Sequence, residues 1–291
     1  MALVELVSVE TSDGVRLDGT LRMPRAELPP SLPIDLAILH HGTGGNFYGP
    51  GVLAQMQDRL VESGYPVLRV NSRGHDIAHN TPKGRMGAAY EIVDESRFDW
   101  RAWLDFAEAR GFQRILLWGH SLGALKTIYY LAKVHDARVG AVIASSPPRF
   151  SYSGYLAKQG AEKFRRDFQA AQKLIEAGEP DGVIDASLPM EVLQSARVYL
   201  DKYGPEDRYD ILGLLPGVKI PVLVTIGSLE GSIPGVHLHF AFDGLAGQIA
   251  ELAAGSENVS FEPIPGAEHS HAGKYDELWS VVWQWLNQRM L

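Results

Sequence analysis

The chain of 291 residues contains no cysteine. That excludes disulfides, thiolate nucleophiles and any zinc or iron–sulfur centre built on cysteine ligands. It also lacks an uninterrupted apolar stretch near the roughly 18 residues that a membrane-spanning helix needs, so no integral membrane segment is expected. Basic residues are the minority: 27 Lys and Arg against 35 Asp and Glu leave a net charge of −8. An acidic chain without a basic run is poorly suited to hold nucleic acid or an anionic membrane through its overall field. The first ten residues carry Glu5 and Glu10 and no basic cluster, so no secretory leader is read there and the cytoplasm is the expected location. No internal repeat or low-complexity tract interrupts the chain. What it has in quantity is apolar residues, 45% against 21% charged, enough to bury a core in one large domain or two small ones.

The apolar residues are grouped in a telling order. Leu3–Val9 and Val15–Met23, separated by Ser12-Asp13-Gly14, predict an antiparallel hairpin at a sheet edge. After a Pro-rich link from Pro24 to Pro33 come short apolar runs at Ile34–His40, Pro66–Val70, Ile115–Trp118, Val139–Ala144, Ile220–Ile226 and Val259–Ile264. Continuous runs of this length suit strands buried on both faces. Helical periodicity lies between them. Val93, Trp100, Trp103, Leu104 and Ala107 share one face, and Tyr275, Leu278, Trp279, Val282, Trp285 and Leu286 form a core-facing stripe near the C-terminus. Alternating strands and helices predict a mainly parallel sheet with helices on both sides. From Pro147 to Pro216 no good strand is found, and Phe164, Phe168, Ala171 and Ile175 mark a helical insertion. Residues 1–146 and 217–291 thus read as the two parts of a core, with 147–216 as a helical cap between them.

The strongest chemical signal is Gly119-His120-Ser121-Leu122-Gly123, placed where a strand runs into a helix. In a chain with 30 glycines the bare Gly-x-Ser-x-Gly pattern arises easily by chance. In a strand–turn–helix setting it marks a sharp turn that presents a strained serine at the amino end of a helix. Ser121 is therefore the candidate nucleophile. A second signal is His40-His41-Gly42-Thr43-Gly44-Gly45-Asn46 at the end of the first buried strand. A glycine-rich loop there can aim backbone N–H groups at an oxyanion, and Thr43 (or Gly44) together with Leu122 are the expected donors. Without Gly-Lys-Ser/Thr it is a poor phosphate loop. His41 is expected to shape the loop, His40 to lie satisfied near the core, and His120 to pack beneath the turn.

With Arg73-Gly74-His75, Gly227-Ser228-Leu229-Glu230 and Gly266-Ala267-Glu268-His269 following in order, the sequence resembles the α/β-hydrolase superfamily over nearly its whole length. Tyr199–Ile211 and Gly227–Glu230 are similar to a group of serine esterases that includes fungal siderophore esterases. The resemblance implies an eight-stranded, mainly parallel α/β-hydrolase sheet flanked by helices, a lid over the site, and the chain order serine, acid, histidine. His269 is then the expected base, with His271 the runner-up. No acid follows Ala144 before Glu162, so Glu230 is the expected orienting carboxylate and Asp243 the alternative. Gly44, Phe150, Tyr152 and Tyr155 are expected to contact substrate. His75, His79 and His135 form no set spaced for a metal and are expected to be solvated. His237 and His239 are expected at the surface or against the lid. Arg73 and Asp99 are expected to pair as ions.

The implied activity is hydrolysis of a small-molecule carboxylic ester, without metal or cofactor, by a monomer or homodimer. The same parts serve a lactonase, amidase, thioesterase, acyltransferase or carbon–carbon hydrolase. A ligand-binding protein on the same scaffold is the reading from another class.

Overall fold

In a computed structural model the chain is described over residues 4–24, 32–232 and 239–290. Eight strands form one sheet: β1 Glu5–Glu10, β2 Arg16–Arg22, β3 Leu36–His40, β4 Val67–Val70, β5 Ile115–His120, β6 Val139–Ser145, β7 Val222–Gly227 and β8 Val259–Ile264. Their spatial order is β1-β2-β4-β3-β5-β6-β7-β8. β1 and β2 pair antiparallel at the edge, and β2 meets β4 antiparallel. All the other pairings are parallel. The six apolar runs thus become strands whose carboxyl ends share one edge, where loops can converge on a ligand. Most of the Pro-rich link, residues 25–31, lies outside the described residues, as does His237.

Both faces of the sheet are covered because both faces of its central strands are apolar. Ala37, Leu39, Val67, Leu116, Trp118, Ile143 and Leu223 pack under helices α1 (Val52–Glu62) and the C-terminal Tyr275–Met290, which contributes Leu278, Val282, Trp285 and Leu286. Ile38, Leu68, Leu117 and Val142 face the other way, toward Ser96–Ala109 and Leu122–Lys133. Trp100, Trp103 and Leu104 are fully buried there, as their helical spacing predicts. Arg73 donates through Nε to buried Asp99 at 2.9 Å and through Nη1 to Asp13 and Glu95, so the expected ion pairing forms.

The insertion between β6 and β7 carries helices Tyr152–Leu156, Ala161–Glu176 and Ala196–Tyr203. It also contains a small antiparallel hairpin, Val183–Ala186 with Val192–Ser195, where no strand is expected from the sequence. Each strand has four residues and leaves Val183 or Leu193 exposed, so neither supplies an apolar run long enough to read. A second unpredicted hairpin joins His79–Thr81 to Gly84–Met86.

Candidate active site

Ser121 sits between β5 and the helix Leu122–Lys133 at φ 56°, ψ −128°. A non-glycine residue tolerates this left-handed region only when its surroundings impose it. The flanking glycines show how. A Cβ on Gly119 would lie 2.4 Å from Gly123 O, and one on Gly123 would lie 2.4 Å from both His40 O and His41 O. The turn is therefore wedged against the loop that leaves β3. Gly42 completes the contact, since a Cβ there would lie 2.7 Å from Ser121 Cβ.

Two loops from the same sheet edge bring the partners. His269 Nε2 lies 2.9 Å from Ser121 Oγ, and His269 Nδ1 lies 2.7 Å from Glu230 Oε2. Glu230 Oε1 accepts the Gly227 N–H at 2.7 Å and the Ser146 hydroxyl at 2.6 Å. The Glu230 side chain is 2% exposed, so these donors stand in for water on the carboxylate. Because the Glu230 carboxylate accepts the hydrogen bond from His269 Nδ1–H, His269 Nε2 is left to accept from Ser121. The residues singled out from sequence, Ser121, His269 and Glu230, are thus brought into one hydrogen-bonded line.

His271, the runner-up base, is fully buried and bonds Ser146 instead of Ser121, with Nε2 3.0 Å from Ser146 Oγ. The Ser146 hydroxyl donates its hydrogen bond to Glu230, so His271 must donate through Nε2 to the Ser146 oxygen. Burial lowers its pKa to about 4, which fits a neutral ring. Asp243, the alternative acid, is paired with Lys158 at 3.3 Å. Ser146 behind Glu230 is the member that sequence reasoning missed. Its signal in the sequence is faint: it directly follows β6, in a stretch with no acid before Glu162.

Leu122 follows Ser121 and Thr43 lines the same cavity, and among the described residues neither N–H has an acceptor. His41 shapes the loop as expected. Its Nδ1 donates to Gly42 O at 2.8 Å and its Nε2 accepts the Ser72 N–H at 3.1 Å. Burial, with Lys126 nearby, lowers its pKa to about 4. His40 is buried and bonded to His41 O at 2.9 Å. His120 donates to His269 O at 2.8 Å, and desolvation and the neighbouring His269 lower its pKa to about 3. His75 and His79 stack on each other, and His75 Nδ1 lies 2.9 Å from Asp76. Among the described residues no cluster of three His, Asp or Glu could hold a metal ion.

A cavity of about 710 Å³ opens onto Ser121 and His269. Its apolar wall includes Val52, Leu53, Met190, Leu229 and Phe242, so the insertion contributes through Met190. The aromatic residues expected on this wall are elsewhere. Phe150 packs on Tyr203, Tyr152 on Phe168, and Tyr155 on Phe164 and Phe240. They form the insertion's own core, because large aromatic rings are what a 70-residue appendage has to bury. Gly44, at φ 63°, faces Ile77 instead of the cavity. Below the site, Lys126 is hydrogen-bonded to Glu91, and Lys202 of the insertion lies 3.8 Å from the same carboxylate. All three are buried.

Comparison with known proteins gives a consistent architecture. Residues 37–173 match the model of the alpha/beta hydrolase fold. No curated protein matches the sequence. Among solved structures, Est1E from Butyrivibrio proteoclasticus with bound ferulic acid is 18% identical, with TM-score 0.66 over 97% of this chain and 99% of that one. The α/β hydrolase GrgF from Penicillium sp. sh18 is 17% identical, with TM-score 0.69 over 99% of each. The Pyrococcus furiosus esterase Pf2001 is 18% identical, with TM-score 0.63 over 100% of this chain and 92% of that one. At these identities the likeness is one of fold.

Proposed function

We propose that this chain, which has the α/β-hydrolase fold, is a serine hydrolase of carboxylic esters acting through an acyl-enzyme. The observation that carries the reading is the unbroken line Ser121–His269–Glu230 opening onto the cavity. In the first step Ser121 Oγ attacks the ester carbonyl carbon and its proton passes to His269 Nε2. The carbonyl π electrons move to oxygen, which takes hydrogen bonds from the Thr43 and Leu122 N–H groups. Collapse of this adduct expels the alcohol, which leaves with the proton from His269. Water then repeats the sequence on the acyl group: His269 removes its proton, and Ser121 departs with that proton restored. Glu230 holds the tautomer that makes Nε2 a base and stabilises the imidazolium formed twice per turnover. The insertion acts as a lid, with Met190 against the substrate.

Two measurements test this. A fluorophosphonate probe should label the protein covalently at Ser121, and Ser121→Ala should end both labelling and ester hydrolysis while keeping the circular dichroism spectrum. Losing the nucleophile lowers kcat on the order of 10³-fold or more. Full hydrolysis by purified Ser121→Ala would remove the assignment. A panel of p-nitrophenyl esters of graded chain length, with a lactone, an amide and a thioester included, separates ester hydrolysis from the other acyl chemistries.

A further inference from the structure

Arg69 is the one charged residue in the apolar run Pro66–Val70. It sits opposite Leu39 on β4 and is 8% exposed. It lines the cavity that holds Ser121. One of its five N–H donors is used: Nη2 donates to Gly49 O at 2.7 Å. Among the described residues no other hydrogen bond or ion pair engages the guanidinium. Asp58, the acid whose charge reaches it, is itself paired with Arg22. The other charged groups around the cavity are no counter-ions either: Glu230 is bound to His269, and Glu268 is exposed.

A single carbonyl needs only one neutral donor, and burying an uncompensated charge to serve it is costly. A second feature points the same way. Gly51, Val52 and Leu53 also line this cavity, at the amino end of the eleven-residue helix α1. The first turn of α1 has no acidic residue and no side-chain cap, and the N–H groups of Val52 and Leu53 have no acceptor among the described residues. Free N–H groups and the helix dipole favour an anion there.

We infer that Arg69 and the amino end of α1 form a subsite for a carboxylate carried by the ester, remote from the scissile carbonyl. The inference rests on the reading of Ser121 as the nucleophile. It makes the substrate class an anionic ester: either the half-ester of a dicarboxylic acid or the ester of a carboxylated alcohol. A planar guanidinium suits a carboxylate because it can donate two parallel hydrogen bonds.

The test compares kcat/KM within two matched pairs. One pair is mono-p-nitrophenyl glutarate and its neutral 4-carbamoylbutanoate analogue, which places the charge on the acyl side. The other is 3-carboxyphenyl butanoate and 3-carbamoylphenyl butanoate, which places it on the alcohol side. The wild-type enzyme should favour the carboxylate in one pair by about 10- to 100-fold, the range of a charge-assisted hydrogen bond. Arg69→Met should bring that ratio close to one, and Arg69→Lys should retain part of it. Wild-type ratios within twofold in both pairs overturn the subsite whatever the variants do. So does an Arg69→Met enzyme that loses both members of the preferred pair equally, since Arg69 then serves only to tie the loop through Gly49. Ser121-dependent hydrolysis of the neutral esters with no carboxylate preference removes the subsite alone. Hydrolysis that persists in Ser121→Ala removes the catalytic reading as well.

Discussion

Replacing Glu230 with glutamine keeps the size of the side chain, removes its charge and turns one acceptor oxygen into an N–H donor. Glu230 Oε1 sits among donors: the Gly227 N–H at 2.7 Å and the Ser146 hydroxyl at 2.6 Å. A backbone N–H can only donate, so the glutamine oxygen must occupy the Oε1 position. Its NH₂ group then occupies the Oε2 position, 2.7 Å from His269 Nδ1. Two donors cannot share that bond, so His269 must shift to the tautomer protonated on Nε2. That nitrogen lies 2.9 Å from Ser121 Oγ and can no longer accept its proton. The wrong tautomer in a serine–histidine–acid line costs about 10⁴-fold in kcat, or about 5.4 kcal/mol at 1.36 kcal/mol per decade. Pre-steady-state release of p-nitrophenol should show the loss in acylation, and the rate of fluorophosphonate labelling should fall in parallel. The melting temperature should stay close to wild type, because size and packing are kept. Asp243→Asn, which breaks the pair with Lys158 and leaves Glu230 alone, should remain within about twofold of wild type. A Glu230→Gln enzyme within tenfold of wild type would refute the tautomer argument, and a dead Asp243→Asn enzyme beside it would move the acid.

Three further outcomes follow from features away from the proton line. Gly123→Ala should cost activity and stability together, because its Cβ would lie 2.4 Å from two backbone oxygens that cannot retreat; soluble protein with normal kcat would contradict this. His41 and His271 have folded pKa values near 4, below the ordinary value of about 6.5, so between those pH values the unfolded chain binds more protons than the folded one. Stability should therefore be full above about pH 6.5 and fall as the pH drops toward 4, by about 1–2 kcal/mol per histidine at pH 5; urea midpoints unchanged between pH 7 and 5 would refute it. Glu91→Ala should lower the urea midpoint by the equivalent of about 3–5 kcal/mol, since it leaves Lys126 and Lys202 buried without their carboxylate; an unchanged midpoint would show that water reaches both.

The sheet was readable because its central strands are buried on both faces, which writes them as continuous apolar runs. Val259–Ile264 is a strand over the same residues, and the strand at Ile115–Trp118 runs two residues further, to His120. The short hairpins at 183–195 and 79–86 were not readable, because three or four residues half exposed leave no period to detect. In the site, Ser121, Glu230 and His269 were legible from the glycines and strand ends that precede them. Phe150, Tyr152 and Tyr155 were misplaced because an aromatic residue looks the same in sequence whether it faces a ligand or another ring. Ser146 and Arg69 are opposite cases. Nothing local distinguishes a serine that buttresses a carboxylate, whereas an arginine inside an apolar strand is a visible anomaly that the pattern of its neighbours announces.

The buried trio beneath the site bears on how this protein can be rebuilt. Lys202 comes from the insertion, while Glu91 and Lys126 come from the core, so the charge balance of the interior is split between two pieces of chain. A chimera that exchanged residues 147–216 for a foreign segment would remove one lysine and open a polar void against the other two. Grafting here would have to carry Lys202 along, or exchange Glu91 and Lys126 together for a matched apolar pair. The insertion is therefore not a module that can be traded freely, and libraries that vary the cavity wall have more freedom at Met190, Leu229 and Phe242 than at the buried trio.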